Sequence, residues 1–248
     1  MFYGLENLSS REYPGRVIII GLDTEGKKVA VCYAITGRSA SSQARKLVQK
    51  QNAVWTVPTD AEQLSRGNTE LLLYPSIIWL PQGIAVSNGK QTSDIAVWVE
   101  RSLSPSEVLK SALENWDFEP DVPAFTPRIS GTVLSNKCAA LSVIRRAANN
   151  HSLRKHYEFP LVSGKGKMIM TYSGANRDPL PSFTDEPLDV SIERGSPKKM
   201  AESVFEALGP QALRKDFRVA VACLFVVDFA TIGFELFIIN RHEREEEK

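Results

Sequence analysis

Histidine and cysteine are scarce in this sequence, and its acidic and basic residues nearly cancel. Only three histidines and three cysteines occur in 248 residues. Cys32, Cys138 and Cys223 form no CxxC pair, and an odd number leaves one over. Neither a zinc site nor a disulfide framework is indicated, and each is expected to be a buried, inert thiol. His151 and His156 share a polar stretch and His242 stands near the end, so surface positions are expected of them rather than metal ligation. With 30 basic against 29 acidic residues the net charge is +1. That balance supports neither a nucleic-acid-binding nor a membrane-surface protein. A small anionic ligand, which needs only a few local cations, stays allowed. Met1-Phe2-Tyr3-Gly4 has no basic region leading into an apolar stretch, so no signal peptide is expected. The longest apolar run, 219–227, is too short to span a bilayer. A cytoplasmic protein is the expectation. No GxGxxG, GxxxxGK[ST] or HExxH occurs, which removes the best sequence support for dinucleotide, P-loop and zinc-hydrolase chemistry. No cofactor and no metal are expected. Catalysis, if present, has to use carboxylates, tyrosine, arginine, lysine or backbone groups.

What the sequence has is strand. Candidates are 16–22, 28–35, 53–57, 77–80 with 84–87, 128–134, 139–144, 167–172, 188–192, 218–227 and 233–239, rich in Val, Ile and Phe and separated by Gly, Pro, Asn and Asp. Runs such as Val17-Ile18-Ile19-Ile20 are apolar on both faces and suit sheets covered on both sides. Ser104-Pro105-Ser106-Glu107 is a capping box with proline at the first helical position, followed by Val108, Leu109, Ala112, Leu113 and Trp116 on one face. Ser196-Pro197 opens a second helix whose apolar face is Met200, Val204, Phe205 and Leu208, ended by Gly209. Helices are also expected at 94–101 and, more weakly supported, at 42–51. Ser163-Gly164-Lys165-Gly166-Lys167 reads as a hairpin turn rather than a phosphate loop, because no helix follows it. The segment 177–187 reads as a loop. Many strands without strict alternation indicate an α+β fold. One domain over 1–240 is expected, with a charged, disordered tail at 241–248.

Four stretches place polar groups where strands or helices end. Gly37-Arg38-Ser39-Ala40-Ser41-Ser42-Gln43-Ala44-Arg45 is hydroxyl-rich with two guanidiniums, which suits a phosphate, although composition alone favours a plain surface loop. Val86-Ser87-Asn88-Gly89-Lys90 runs from a strand into an Asn-Gly turn. Trp116-Asp117-Phe118-Glu119-Pro120-Asp121 gathers three carboxylates beyond a helix, usually a solvated end. Phe125-Thr126-Pro127-Arg128-Ile129 brings an arginine into a strand, where a paired structural role is the default.

In this order, and preceded by Tyr13-Pro14-Gly15-Arg16, these stretches resemble the archaeal-type IMP cyclohydrolase family over about residues 13–135. The likeness resumes more weakly at Met170-Thr171-Tyr172 and Arg194-Gly195-Ser196-Pro197. The resemblance implies a four-layer αββα sandwich of the N-terminal-nucleophile hydrolase type. Met1 precedes bulky Phe2 and no Ser, Thr or Cys stands ready as a nucleophile, as is also true of that family. The implied activity is ring closure of a formamido-imidazole-carboxamide ribotide to inosine monophosphate, with loss of water and without a cofactor. By similarity Glu119, Tyr74 and Arg45 are the catalytic candidates, and Arg38, Asn88 and Arg128 the substrate-binding ones. The choice between Arg38 and Arg45 for the phosphate stays open. The implied partner is a small purine-precursor nucleotide, with neither nucleic acid nor membrane, and a homo-oligomer is left open. Two other readings stand beside this one. An amide hydrolase of the same fold would need a nucleophile that is not evident, and a diverged relative would bind a purine nucleotide without turnover.

Overall fold

The computed structural model describes residues 4–59, 73–193, 195–210 and 215–245. Two antiparallel sheets pack face to face. The first has six strands in the order β11-β10-β1-β2-β12-β13, and the second has seven in the order β3-β4-β5-β6-β7-β8-β9. The strands are β1 Arg16–Leu22, β2 Val29–Thr36, β3 Arg45–Lys50, β4 Ala53–Pro58, β5 Tyr74–Leu80, β6 Gly83–Ser87, β7 Arg128–Leu134, β8 Cys138–Arg146, β9 Ser152–Pro160, β10 Lys165–Met170, β11 Leu188–Ser191, β12 Arg218–Asp228 and β13 Gly233–Asn240.

Side-chain alternation splits the second sheet cleanly. Ile84, Val86, Ile129, Val133, Leu141 and Val143 join the core shared with the first sheet, while Ala85, Leu134, Ala140 and Ile144 face helices. Those helices are α3 (Gln91–Val99) and α4 (Pro105–Ala112), which bury Ile95, Val99, Val108 and Leu109 against them. On the other side, α5 (Pro197–Ala207) packs on β12 and β13 through Met200, Val204 and Phe205. Each such fully buried side chain contributes about 1.5–3 kcal/mol. This explains why β1, β2 and most of β12 are apolar on both faces: a sheet lies on one side and a helix on the other. Among the described residues, no helix is long and apolar enough to cross a membrane.

Most expected elements recur, with several differences. The capping box at Ser104 and Glu107 forms, but α4 stops at Ala112, so Trp116 lies off the helix and donates through Nε1 to Asp94 Oδ2 at 2.7 Å. The expected helix at 42–51 is a single turn, α2 (Ala40–Gln43), followed by strand β3. Pairing with β4 wins over helical propensity there, and the Asn240 side chain clasps Leu47 through both its backbone N–H (2.8 Å) and its carbonyl (3.0 Å). The polar strand β9 was hidden because it is an edge strand whose side chains are largely solvated. The 163–167 segment is not a hairpin: a turn at Ser163-Gly164 carries the chain from β9 in one sheet into β10, which starts at Lys165 in the other, with the Gly164 N–H donating to the Leu22 and Asp23 carbonyls. A short helix α1 (Glu6–Ser9) precedes β1. Within the charged tail, Arg241–Glu245 form a short helix, α6, and residues 246–248 lie outside the described residues. Cys32 and Cys223 are opposite each other on β2 and β12, buried, as expected of inert thiols, whereas Cys138 is half-buried.

Candidate active site

A cavity of about 350 Å³ opens at one end of the interface between the sheets. Its wall carries Arg16, Arg38, Arg45, Glu119 and Asp121 beside the apolar Ala124 and Leu180. Arg16, the first residue of β1, and Arg45, the first residue of β3, enter it from opposite sheets. Both are buried, at 8% and 2% exposure. Gly15 makes the first placement possible: it adopts φ +76°, and a Cβ there would fall 2.0 Å from Thr171 Oγ1. That same Thr171 hydroxyl accepts the Arg16 backbone N–H at 3.1 Å. Arg45 is fixed by its Nε donating to the Ser42 carbonyl at 2.9 Å, so the α2 turn holds the guanidinium that follows it.

The third wall is the loop between α4 and β7. It closes on itself: the Glu119 N–H donates to the Thr126 carbonyl at 2.9 Å, and the Thr126 N–H and hydroxyl donate to the two Asp121 oxygens at 2.6 and 2.5 Å. Tyr172 Oη lies 2.6 Å from Thr126 Oγ1; since Thr126 spends its proton on Asp121, Tyr172 is the donor. Glu119, Asp121, Thr126 and Tyr172 all line the cavity. Behind Glu119, Asn88 Nδ2 stands 3.4 Å and Arg128 Nη1 3.9 Å from Oε1. At the rim, Arg38 donates to Asp178 Oδ1 at 2.7 Å, beside Ser39 and Ser41. Leu180, from the expected 177–187 loop, also lines the cavity.

The electrostatics follow from burial. Desolvation pushes the Glu119 carboxyl above its usual range; Arg16 and Arg128 pull it down without cancelling the rise. Desolvation, then the charge of Arg16, pulls Arg45 below its usual value. Arg16 is also opposed by burial, but Tyr74, Glu119 and Tyr33 outweigh it and hold that guanidinium firmly protonated. Burial and the neighbouring Tyr74 raise Tyr33, and burial pushes Tyr172 up to about 12, so both are neutral hydroxyls. The cavity therefore combines a carboxyl of raised basicity with two confined cations, an arrangement suited to moving a proton while stabilising developing negative charge.

The residues expected from the sequence divide into two groups. Glu119, Arg45 and Arg38 line the cavity. Tyr74, Asn88 and Arg128 lie behind its wall. Tyr74 is 1% exposed, its hydroxyl 3.0 Å from that of Tyr33. Asn88 is fully engaged as a clamp: Oδ1 accepts from Ile129 N–H (2.9 Å) and Gln91 (3.2 Å), and Nδ2 also donates to the Pro127 carbonyl (3.0 Å). Arg128 spends Nε on the Asp117 carbonyl (2.8 Å) and Nη1 on Gln91 (3.1 Å), with Trp116 stacked 4.7 Å away. Gly89 leaves room for this, since a Cβ there would stand 2.7 Å from Arg128 Nη1. Sequence reasoning missed Arg16, Tyr33, Asp121, Thr126 and Tyr172 as wall or floor groups. Arg16, Asp121, Thr126 and Tyr172 lie in stretches singled out for their polar groups or for the family resemblance, which was the available signal for them; Tyr33, inside an apolar strand, had none.

A family model described as IMP cyclohydrolase-like protein matches residues 13–228, which takes in every residue of this cavity. The chain belongs to the IMP cyclohydrolase-like family. It is also similar to a curated relative from Methanopyrus kandleri named IMP cyclohydrolase, with 26% identity over 182 residues. That likeness covers 69% of this chain and 89% of the relative. Family membership makes the cavity the place to look for cyclohydrolase chemistry, because it is where both sheets contribute charged groups to one enclosed space.

Proposed function

We propose that this chain is an IMP cyclohydrolase: it condenses the carboxamide of 5-formamidoimidazole-4-carboxamide ribotide onto the neighbouring formyl group, giving inosine monophosphate and water. The observation that carries the reading is Glu119, a buried carboxyl of raised basicity facing two buried guanidiniums in one cavity. On this reading the carboxamide nitrogen attacks the formyl carbon as Glu119 takes one of its protons. The formyl oxygen gathers the electron pair and then the proton, and leaves as water with the proton of the formamido nitrogen. Arg45 holds the carboxamide oxygen, which acidifies the attacking N–H. Arg38 with Ser39 and Ser41 takes the phosphate at the rim, and Asp121 with Tyr172 faces the ribose between them. Enclosure holds the two arms in contact, an effect worth at most about 7–11 kcal/mol for well-oriented groups.

Tyr74, Asn88 and Arg128 fit this scheme as positioning residues. Tyr74 with Tyr33 lies beneath the guanidiniums, and Asn88 and Arg128 fix Glu119. Within the same reading the chain is one domain over residues 1–240, and its layered sheets are an αββα sandwich of the N-terminal-nucleophile hydrolase type that has lost the nucleophile. An amide-hydrolase reading gains no support from the wall, where the Ser39 hydroxyl caps α2 and pairs with Ser41, and no histidine lines the cavity among the described residues.

The test is an absorbance assay of ring closure with purified protein, beside calorimetric titration with inosine monophosphate. Turnover supports the proposal. Binding of the nucleotide with no ring closure makes the chain a purine-nucleotide binder and overturns it.

A further inference from the structure

We infer that Arg16 is a further catalytic residue, the group that receives the formyl oxygen as it becomes an alkoxide. This rests on the cavity being a cyclohydrolase site. The four arginines around the cavity differ in what their donors do. Arg45 gives Nε to Ser42, Arg128 gives Nε and Nη1 to Asp117 and Gln91, and Arg38 is paired with Asp178. Arg16 alone makes no side-chain hydrogen bond or ion pair among the described residues, and its Nε is fully buried without a partner. The guanidinium is more than nine-tenths buried and lines the cavity.

A buried charge with unmet donors is costly, and a fold gains nothing by holding one unless something else fills the donors. The chain nevertheless fixes Arg16 firmly. Its backbone is paired to Ile35 on β2 and bonded on both sides to Thr171, and the left-handed Gly15 before it has no room for a side chain. The head group is therefore preorganised and unoccupied by protein, which is the condition for an oxyanion donor. Its charge is held by the surroundings, and it stands on the same cavity wall system as Glu119. The new C–N bond uses the nitrogen lone pair, and the C=O electrons move to the oxygen that Arg16 holds. The proton taken by Glu119 returns to that oxygen, and the resulting hydroxyl leaves as water with the proton of the formamido nitrogen as the C=N bond forms. The product has no oxygen at that carbon, so Arg16 acts on the intermediate more than on inosine monophosphate.

The experiment compares wild type, Arg16→Gln and Arg16→Lys for kcat, KM, the Kd of inosine monophosphate and the melting temperature. Arg16→Gln is expected to lower kcat by about 10²–10³-fold, as loss of an oxyanion donor does, with the Kd changed only a few-fold. Arg16→Lys, keeping the charge but losing the fork, is expected to recover part of that loss. The melting temperature of Arg16→Gln should be unchanged or raised. If kcat is unchanged in a turning-over protein, or if the nucleotide Kd weakens as much as kcat falls, Arg16 is not the oxyanion group and the inference fails alone. A drop in melting temperature with normal turnover per folded molecule also overturns it. A wild-type protein that binds nucleotide without ring closure overturns the cyclohydrolase reading, and this role with it.

Discussion

Two clusters of buried polar side chains lie on opposite faces of the seven-stranded sheet. On the inner face, Arg45, Arg16 and Glu119 line the cavity, with the Tyr33 and Tyr74 hydroxyls paired behind them. On the outer face, Ser130, Ser142 and His156 stand in one row across β7, β8 and β9, beneath α4. Both clusters hold orphaned atoms: Arg16 Nε in the first, and Ser130 Oγ, Ser142 Oγ and His156 Nδ1 in the second. Burial without partners is thus shared. What differs is charge and access. The inner cluster carries confined cations and a carboxyl and opens on a cavity; the outer one is made of neutral hydroxyls and an imidazole that burial, Lys110 and Arg154 keep below its usual pKa. An unsatisfied buried atom is therefore a pointer to function only when a ligand can reach it and its charge has work to do.

The comparison is broken most sharply at Glu119. Glu119→Gln is expected to lower kcat by about 10²–10³-fold, the range for loss of a positioned base. Its effect on stability runs the other way. A carboxyl whose folded pKa is raised favours folding only while protonated, and that contribution is lost as pH rises through the folded value. At neutral pH the charged form costs stability, so the glutamine variant should melt no lower than wild type. A lower melting temperature with unchanged kcat would place Glu119 with the structural cluster instead.

Next in size is Arg45→Lys, which keeps the charge but loses the planar fork that both grips Ser42 and faces the cavity. A fall in kcat/KM of roughly 10–100-fold is expected, since one bidentate contact of about 1.5–3 kcal/mol is lost. Tyr33→Phe and Tyr74→Phe should each cost less, about tenfold in kcat, because each removes one end of the hydroxyl pair beneath the guanidiniums without touching the ligand. Equal effects from the two variants, and no further loss in the double variant, would mark the pair as a unit. Additive losses would show that the hydroxyls act separately.

How much of this could be read in the chain before folding depends on the kind of interaction. The apolar strands were legible because burial by a sheet on one side and a helix on the other imprints continuous Val and Ile runs. The capped helix at Ser104 was legible because its hydrogen bonds are local. β3 and β9 were not, since an edge strand is decided by a neighbour far away in sequence rather than by its own side chains. The site shows the same divide. Glu119, Arg45 and Arg38, which line the cavity, were singled out through the family resemblance. The roles of Arg16, Tyr33 and Tyr172 were not legible: only the fold brings Arg16 and Tyr172 into the wall with Glu119 and sets the Tyr33 hydroxyl 3.0 Å from that of Tyr74. Asn88 and Arg128 were substrate-binding candidates by similarity, whereas the fold sets both behind Glu119, a placement that sequence alone does not carry.

A smaller effect separates Arg128 from the residues that touch substrate. Its charge pulls the Glu119 pKa down, against burial. Removing it in Arg128→Gln should let that pKa rise further. A base must be ionised, so activity falls as pH drops through the Glu119 value, and this acid limb should move to higher pH in the variant. The plateau rate at high pH should change little. A pH profile of kcat settles the matter: an unshifted limb with a lowered plateau means that Arg128 contacts the substrate after all.

The smallest expected effect tests the outer cluster. Ser142 sits between Ser130 and His156 on neighbouring strands, fully buried, and its hydroxyl has no partner among the described residues. An unpaired buried hydroxyl costs about 1–3 kcal/mol relative to a satisfied one. Replacing it by a methyl group of nearly the same size removes that cost and leaves no cavity. Ser142→Ala should therefore leave kcat and KM unchanged and hold or raise the melting temperature. If an internal water bridges Ser142 to His156, the alanine variant loses that bridge instead and melts lower, still with normal kinetics. Either thermal result keeps the row structural. A fall in kcat at constant melting temperature is the outcome that would erase the contrast between the two faces, because it would connect a sealed, neutral row to chemistry on the far side of the sheet.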